Sequence, residues 1–254
     1  DNVAVLTTGH IAALKTQSVA ALTTAQFVAL DSDQAEALTS AQVAALTQAQ
    51  IAAIASENLA AFSTDDVAAI SLLALMGMTT DNVASLGSDK IVALKTTQIM
   101  GLRTTQIAAL TSDQVGVLTS AQLGALTTSQ VAALSTDGLA GLTTDQIPSL
   151  KTASVAALTS TQLDALNTDQ VAALTTAQVK ALDSSDISAL SSDDLRVFST
   201  DDIVAISTAA LAGLSTDDIA SLTTDQVVAM NNATQIPALN SDQLSVLIAA
   251  YQAI

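Results

Sequence analysis

The sequence predicts an all-α solenoid, a superhelix of very short helices with one helix in each eight-residue repeat. Three observations lead to this fold class. Apolar residues recur every eight positions along nearly the whole 254-residue chain, each repeat carries a helix-start signal, and the pattern fits neither one long helix nor a β-strand. Internal repeats of this kind are typical of stacked architectures.

The repeat has no insertion or deletion between Leu6 and Met230. With its positions labelled a to h and Leu6 as the first a, position a is apolar 29 times and is Leu 22 times. Position f is apolar in all 28 octads from Ile11 to Val227, and position h is Ala, Gly or Ser in 26 of them. Position g varies freely. We therefore expect a and f to be buried, h to be tightly packed and g to face solvent.

Two simpler folds fail. In one continuous α-helix, eight residues turn through about 800°, so the row of Leu would drift by about 80° per octad around the axis. A β-solenoid needs alternating, β-branched strands, and L-T-T-A-Q-V-A-A does not alternate.

Each octad instead contains a complete helix start. Position b is Ser, Thr, Asp or Asn in 22 of 28 octads and position e is Gln in 14, the spacing of a capping box. The apolar a residue before the cap and the f residue after it form a hydrophobic staple. Acids at d and e lie in the first turn, where the helix dipole favours them. Helices this short are unstable alone, so they must stack on one another.

Position c is even stricter than b. It is Ser or Thr in 26 of 28 octads and departs only at Gln48 and Leu72. Either c is the true cap, or its hydroxyl has another role.

The acids at position d predict the size of one turn of the superhelix. Octads seven apart agree in being acidic or neutral in 17 of 21 pairs, and most octads three apart also agree. A period of about 3.4 octads, roughly 27 residues, explains both separations. We expect three regions: a lead-in over 1–5, the solenoid over 6–230, and an atypical C-terminal repeat or cap over 231–254, where NNATQIPAL adds one residue. The start at Asp1 suggests a processed or excised piece of a longer protein.

Composition excludes several partners. The net charge is −17 with only seven Lys and Arg, whereas nucleic acid and anionic membranes require clustered cations. The nearly apolar run 68–78 is too short to cross a bilayer, which takes about 20 residues. The absence of Cys excludes disulfides and thiolate metal sites.

No residue pattern predicts catalysis, a cofactor or a dedicated metal site. The single His10 occupies an e position and is expected to be a polar surface residue. The acid pairs recur at helix starts, where they complement the dipole, rather than facing one another as an acid–base pair would. No acidic loop has the spacing or Gly of a calcium site, so only weak Ca²⁺ binding is conceivable. We expect the protein not to be an enzyme. The acid pairs are Asp65–Asp66, Asp193–Asp194, Asp201–Asp202 and Asp217–Asp218.

Two surface features are candidates for binding. Octad 70–77, ISLLALMG, places apolar residues where polar ones belong, which predicts either an interaction patch or local repacking. The row of Ser and Thr at c either binds ice or a glycan, or serves in caps and contacts between coils. The residues of the possible interaction patch are Leu72, Leu73, Leu75 and Met76.

The motif itself resembles known repeats. LTTDQVVAM at 222–230 resembles the opening helix of TAL-effector repeats, but the octad has no second helix or base-reading loop, and its charge excludes DNA. From 6 to 230 the chain is more similar to the LTTxQ(V/I)xAL arrays of very large secreted or surface proteins of Gram-negative bacteria, described as adhesin-like or haemagglutinin-like. This resemblance implies secretion and an extracellular repeat region, and it carries over no site residues.

The sequence thus predicts a structural repeat region, an extracellular stalk or scaffold of a surface adhesin or filament. The alternatives are a binding module for ice, a glycan or Ca²⁺, and a fibre subunit that self-associates. A spacer should tolerate changes at c and d with loss of stability alone, whereas a binding module should lose its ligand while staying folded.

Overall fold

The computed structural model describes residues 3–230 and 233–253, and the chain divides into two compact units, Asp1–Leu126 and Thr127–Ile254. Throughout the described residues every regular element is a helix and no strand occurs. Each octad from Leu6 to Ala229 forms one helix, which begins at position c or shortly after it. The predicted fold class, an all-α repeat solenoid, is confirmed.

The helices of the first unit are four to six residues long, and a 3-10 turn at Val3–Val5 precedes them. They are α1 (Thr8–Ala13), α2 (Thr16–Ala20), α3 (Thr24–Val28), α4 (Ser32–Glu36), α5 (Ser40–Val43), α6 (Gln48–Ala53), α7 (Ser56–Ala60), α8 (Thr64–Ala69), α9 (Leu72–Leu75), α10 (Thr80–Ser85), α11 (Ser88–Ala93), α12 (Thr96–Gly101), α13 (Thr104–Ala108), α14 (Ser112–Gly116) and α15 (Ser120–Ala125).

The second unit continues the pattern, with 3-10 turns at Ile147–Ser149, Ala210–Gly213 and Ile236–Ala238. Its helices are α16 (Thr128–Val131), α17 (Thr136–Ala140), α18 (Thr152–Val155), α19 (Ser160–Asp164), α20 (Thr168–Ala172), α21 (Thr176–Lys180), α22 (Ser184–Ala189), α23 (Ser192–Arg196), α24 (Thr200–Ala205), α25 (Thr216–Ser221), α26 (Thr224–Ala229) and α27 (Ser241–Gln252).

Position b is the helix cap. In α15, Thr119 has extended backbone angles, and its Oγ1 accepts a hydrogen bond from the Gln122 N–H at 3.2 Å. Gln122 Oε1 accepts one from the Thr119 N–H at 2.9 Å in return, which completes the predicted capping box. The helix ends at Leu126, whose extended backbone turns the chain into the next octad.

Position c is the first helical residue and does not replace a missing cap. Octads with Lys15, Ala55 or Gly87 at b have no side-chain cap bond even though c is Thr or Ser. Of the two roles considered for c, capping is therefore wrong.

Helices stack on the third helix along the chain. In the first unit each helix from α1 to α12 contacts the helix three further on, and in the second unit α18 contacts α21 and α20 contacts α23. Hydrogen bonds between successive coils join residues 26 to 31 apart. This range brackets the predicted turn of about 27 residues and excludes a coil of two helices.

The core consists of the f row and, from Leu30 onward, the a row, as predicted. Near the C-terminus α27, at 12 residues, is the longest helix of the described residues, and it packs on α25 and α26. The predicted cap over 231–254 includes three residues, 231, 232 and 254, that lie outside the described ranges. No described helix combines the length and the apolar character that crossing a membrane requires.

Candidate functional site

The side chain at position e joins successive coils. Gln114 is buried, and its Nε2 donates to the main-chain carbonyls of Val83 at 2.8 Å and Leu86 at 2.7 Å. Its Oε1 accepts from the Thr111 N–H at 2.9 Å. One amide therefore completes the cap of its own helix and bonds to the previous coil.

The same pair of contacts recurs along the chain. The acceptors are an f carbonyl 31 residues earlier and the next a carbonyl 28 residues earlier, where a short helix ends and leaves carbonyls without intrahelical partners. After the one-residue insertion near 231–239, Gln243 reaches back 32 and 29 residues instead. The other amides with both contacts are Gln34, Gln42, Gln50, Gln106, Gln122, Gln170, Gln178, Gln226 and Gln235.

The sequence interpretation missed this role, because it assigned e to the cap and expected only a and f to be buried. The signal was present. A capping box accepts Glu as readily as Gln, yet position e contains 14 Gln and no Glu. Only an amide can accept from its own helix and donate to carbonyls of the coil before it.

Shorter side chains at e make fewer contacts with the previous coil. Asn58 Nδ2 still reaches the Leu30 carbonyl at 2.7 Å. Asp66 accepts at 2.7 Å from the hydroxyl of Ser40, which is a c residue of the coil before. Some c hydroxyls therefore bond between coils, the second role considered for this position. A pair with the same spacing joins Ser192 and Asp218 at 2.7 Å.

Two Asp residues at e lack such a donor. Asp202 is buried, and its Oδ1 has no hydrogen-bond partner. At Asp186, burial raises the pKa of the carboxyl, the N–H of Asp183 that bonds to it opposes the rise, and the charge of Asp183 adds to it. A buried carboxylate without enough donors is unfavourable, so these two residues weaken the stack.

Positions h and c meet across coils. A Cβ on Gly77 would overlap the Gln48 carbonyl, and a Cβ on Gly101 would overlap the Leu72 side chain. Gln48 and Leu72 are the only c residues that are not Ser or Thr. A larger c residue thus requires Gly at h 29 residues later, which explains both the strict c row and the small h row.

The predicted polar sites have ordinary roles. His10 is exposed and takes the place of Gln in a capping box, its Nδ1 accepting from the Thr7 N–H at 3.2 Å. The members of each acid pair differ, since Asp65 is exposed and Asp66 buried. Among the described residues, no group of three or more His, Asp or Glu could hold a metal ion.

The predicted interaction patch is smaller than expected. Leu72 and Leu73 are 46% and 66% exposed and Met76 is half-buried, but Leu75 is fully buried because it is the f residue of its octad. The apolar surface also includes Met100, which is 51% exposed, one residue before the Gly101 that Leu72 covers.

An apolar cavity of about 260 Å³ lies beside α27. Its lining includes Val228, Ile236, Ile248 and Tyr251. The sequence gave no sign of it, since the helical spacing in α27 does not distinguish a cavity wall from ordinary core.

Stacked helices of one octad each, joined by a recurrent amide, define a tandem-repeat solenoid protein. The chain belongs to the ALTTAQ repeat family, whose model matches residues 3–40, 91–120, 117–152, 147–176 and 196–232, more than half of its length. In the motif, as at 21–26 and 173–178, the first Thr is the cap and the Gln is the amide between coils. No curated protein matches the chain.

Proposed function

We propose that this repeat region is an extracellular stalk or scaffold that holds another part of a surface protein away from the cell. The observation that carries the proposal is the contact at position e. It is made with the main chain and recurs in each coil, so the length of the solenoid follows the number of octads.

Charge and composition support a place outside the cell. The surface is strongly acidic and the chain contains no Cys, so oxidation offers no thiol to cross-link. The resemblance to repeat arrays of large secreted proteins agrees with this location.

Cell fractionation tests the location. An antibody against this segment should detect it on intact native cells and on a chain much larger than 254 residues. A soluble intracellular chain of about this size would contradict the stalk. Removal of whole coils of 24 residues should shorten the reach of the parent protein and leave binding by its other regions unchanged.

A second candidate is ligand binding by the hydroxyl rows. Thr80 and Thr104 are exposed c residues on α10 and α13, which are in contact, and neither hydroxyl bonds to another protein group. Such a ladder is suited to ice or a glycan. Thr→Val at both positions should abolish ligand binding while the fold persists, and an unchanged affinity would exclude these two residues.

A further inference from the structure

The first coil of the solenoid has an open face. From Gln34 onward the Gln residues at e are buried, but in the first three octads His10 and Ser18 are exposed and Gln26 is half-buried. The a residues of the same octads, of which Leu6 and Leu22 are examples, are half-buried as well.

Gln26 and Gln50 show what this face lacks. Both amides form the capping box, with Oε1 accepting from the main chain of Thr23 or Thr47. Gln50 Nε2 also donates to the carbonyls of Val19 at 3.0 Å and Leu22 at 2.8 Å. Gln26 Nε2 donates to no protein group.

His10 offers a second donor on the same face. Its Nδ1 accepts from the Thr7 N–H, so in the neutral ring the proton is on Nε2. The N-terminal face therefore presents unused donors beside half-buried Leu residues, the combination that each later coil buries.

We propose that this face binds another coil of three octads in the same register, which supplies f and a carbonyls to Gln26. The occupant is argued from the chain itself, because residues 6–29 cover the coil 30–53 by these contacts. The proposal rests on the repeat architecture and not on the location of the protein.

A second copy of the chain is a poorer occupant. Two N-terminal faces would bring donors together without acceptors. At the other end of the chain, α27 packs over α25 and α26, so that end is already covered.

The test uses Gln→Glu, which keeps the oxygen for the capping box and removes the donor. In the full chain at pH 7, Gln50→Glu should place a carboxylate against two carbonyls and lower the melting temperature by about 4 °C or more. Gln26→Glu, the matched control, should change it by about 1 °C or less.

The same pair is then measured in an extended chain, in which a copy of residues 30–53 replaces residues 1–5 directly before Leu6. This keeps the octad phase and places the copies of Val43 and Leu46 at the positions of the two acceptors. Gln26→Glu should now cost as much as Gln50→Glu. A second extension, copied from 94–117, repeats the test should the first not fold.

Two results would overturn the proposal. One is a Gln26→Glu effect that stays small in both extended chains, or the failure of both extensions to fold. The other is a dimer of the native chain in light scattering that Gln26→Glu dissociates, which would assign the face to a second copy. Neither result bears on cell-surface location, so the stalk proposal is tested separately.

Discussion

Leu72 fills the space that a methyl group on Gly101 would need. The two residues are 29 apart, at positions c and h of stacked octads, and Gln48 and Gly77 repeat the relationship. The two departures from Ser or Thr at c are thus each matched by a Gly one coil later.

This match predicts energetic coupling between Leu72 and Gly101. Gly101→Ala alone gains helix propensity but forces Leu72 to move, whereas with Leu72→Thr the new methyl group has room. In a double-mutant cycle of urea unfolding, we expect a favourable coupling of about 0.5–3 kcal/mol. Additive effects would show that the side chain yields freely.

The amide at e should contribute more than an exposed neighbour. Gln114→Leu leaves the Val83 and Leu86 carbonyls without their donor, so we expect a loss of about 2–3 kcal/mol in the free energy of unfolding. Asp113→Ala, at the exposed d position of the same helix, should change it by about 0.5 kcal/mol or less. Equal losses would contradict a special role for e.

Asp186→Asn should stabilise the protein, and more so at neutral than at acidic pH. Burial raises the pKa of Asp186 above its ordinary value of 3.8, so the folded state binds the proton more tightly than the unfolded state. The unfavourable contribution of the carboxylate is therefore absent below pH 3.8 and grows as pH rises through the folded-state pKa.

Asn also brings a donor to this position. Asn58 Nδ2 bonds to the Leu30 carbonyl 28 residues earlier, and Leu158 is the corresponding residue for position 186. We expect a gain of about 1 kcal/mol at pH 7, measured by urea unfolding between pH 3.5 and 7. A gain independent of pH would show that Asp186 titrates alike in both states.

Capping can be improved where b lacks a polar side chain. Ala55 caps α7 without a side-chain bond, so Ala55→Thr should raise stability by about 0.5–2 kcal/mol. Thr119→Ala should lower it by a similar amount, because Thr119 Oγ1 accepts the Gln122 N–H. Thermal unfolding of the two variants would show opposite shifts, and no shift for Ala55→Thr would mean that the exposed end of α7 is satisfied by water.

Local rules predicted the helices, their caps and the size of the coil. They worked because each octad repeats the same short-range signals, so that the Thr–Gln spacing at 119 and 122 fixes the helix start without reference to other coils. The acid pattern at d reported the coil because stacked octads share a side of the solenoid.

Contacts between coils were harder to predict. That Gln114 would be buried depends on which carbonyls lie 28 and 31 residues earlier, and a capping box alone does not supply that distance. Leu75 was misplaced because its apolar neighbours Leu72 and Leu73 drew attention to the run, although the f position already assigned it to the core. The cavity beside α27 arises where the repeat ends and its rules no longer apply.

The amide of Gln114 ends on main-chain oxygens, which every residue possesses. A coil therefore recognises the backbone of its neighbour and not its particular side chains. Octads can be duplicated, lost or exchanged in the gene by unequal recombination without compensating substitutions elsewhere, except where a large c residue requires its Gly. Repeat number should thus vary among relatives far more than the capping and amide residues within each repeat.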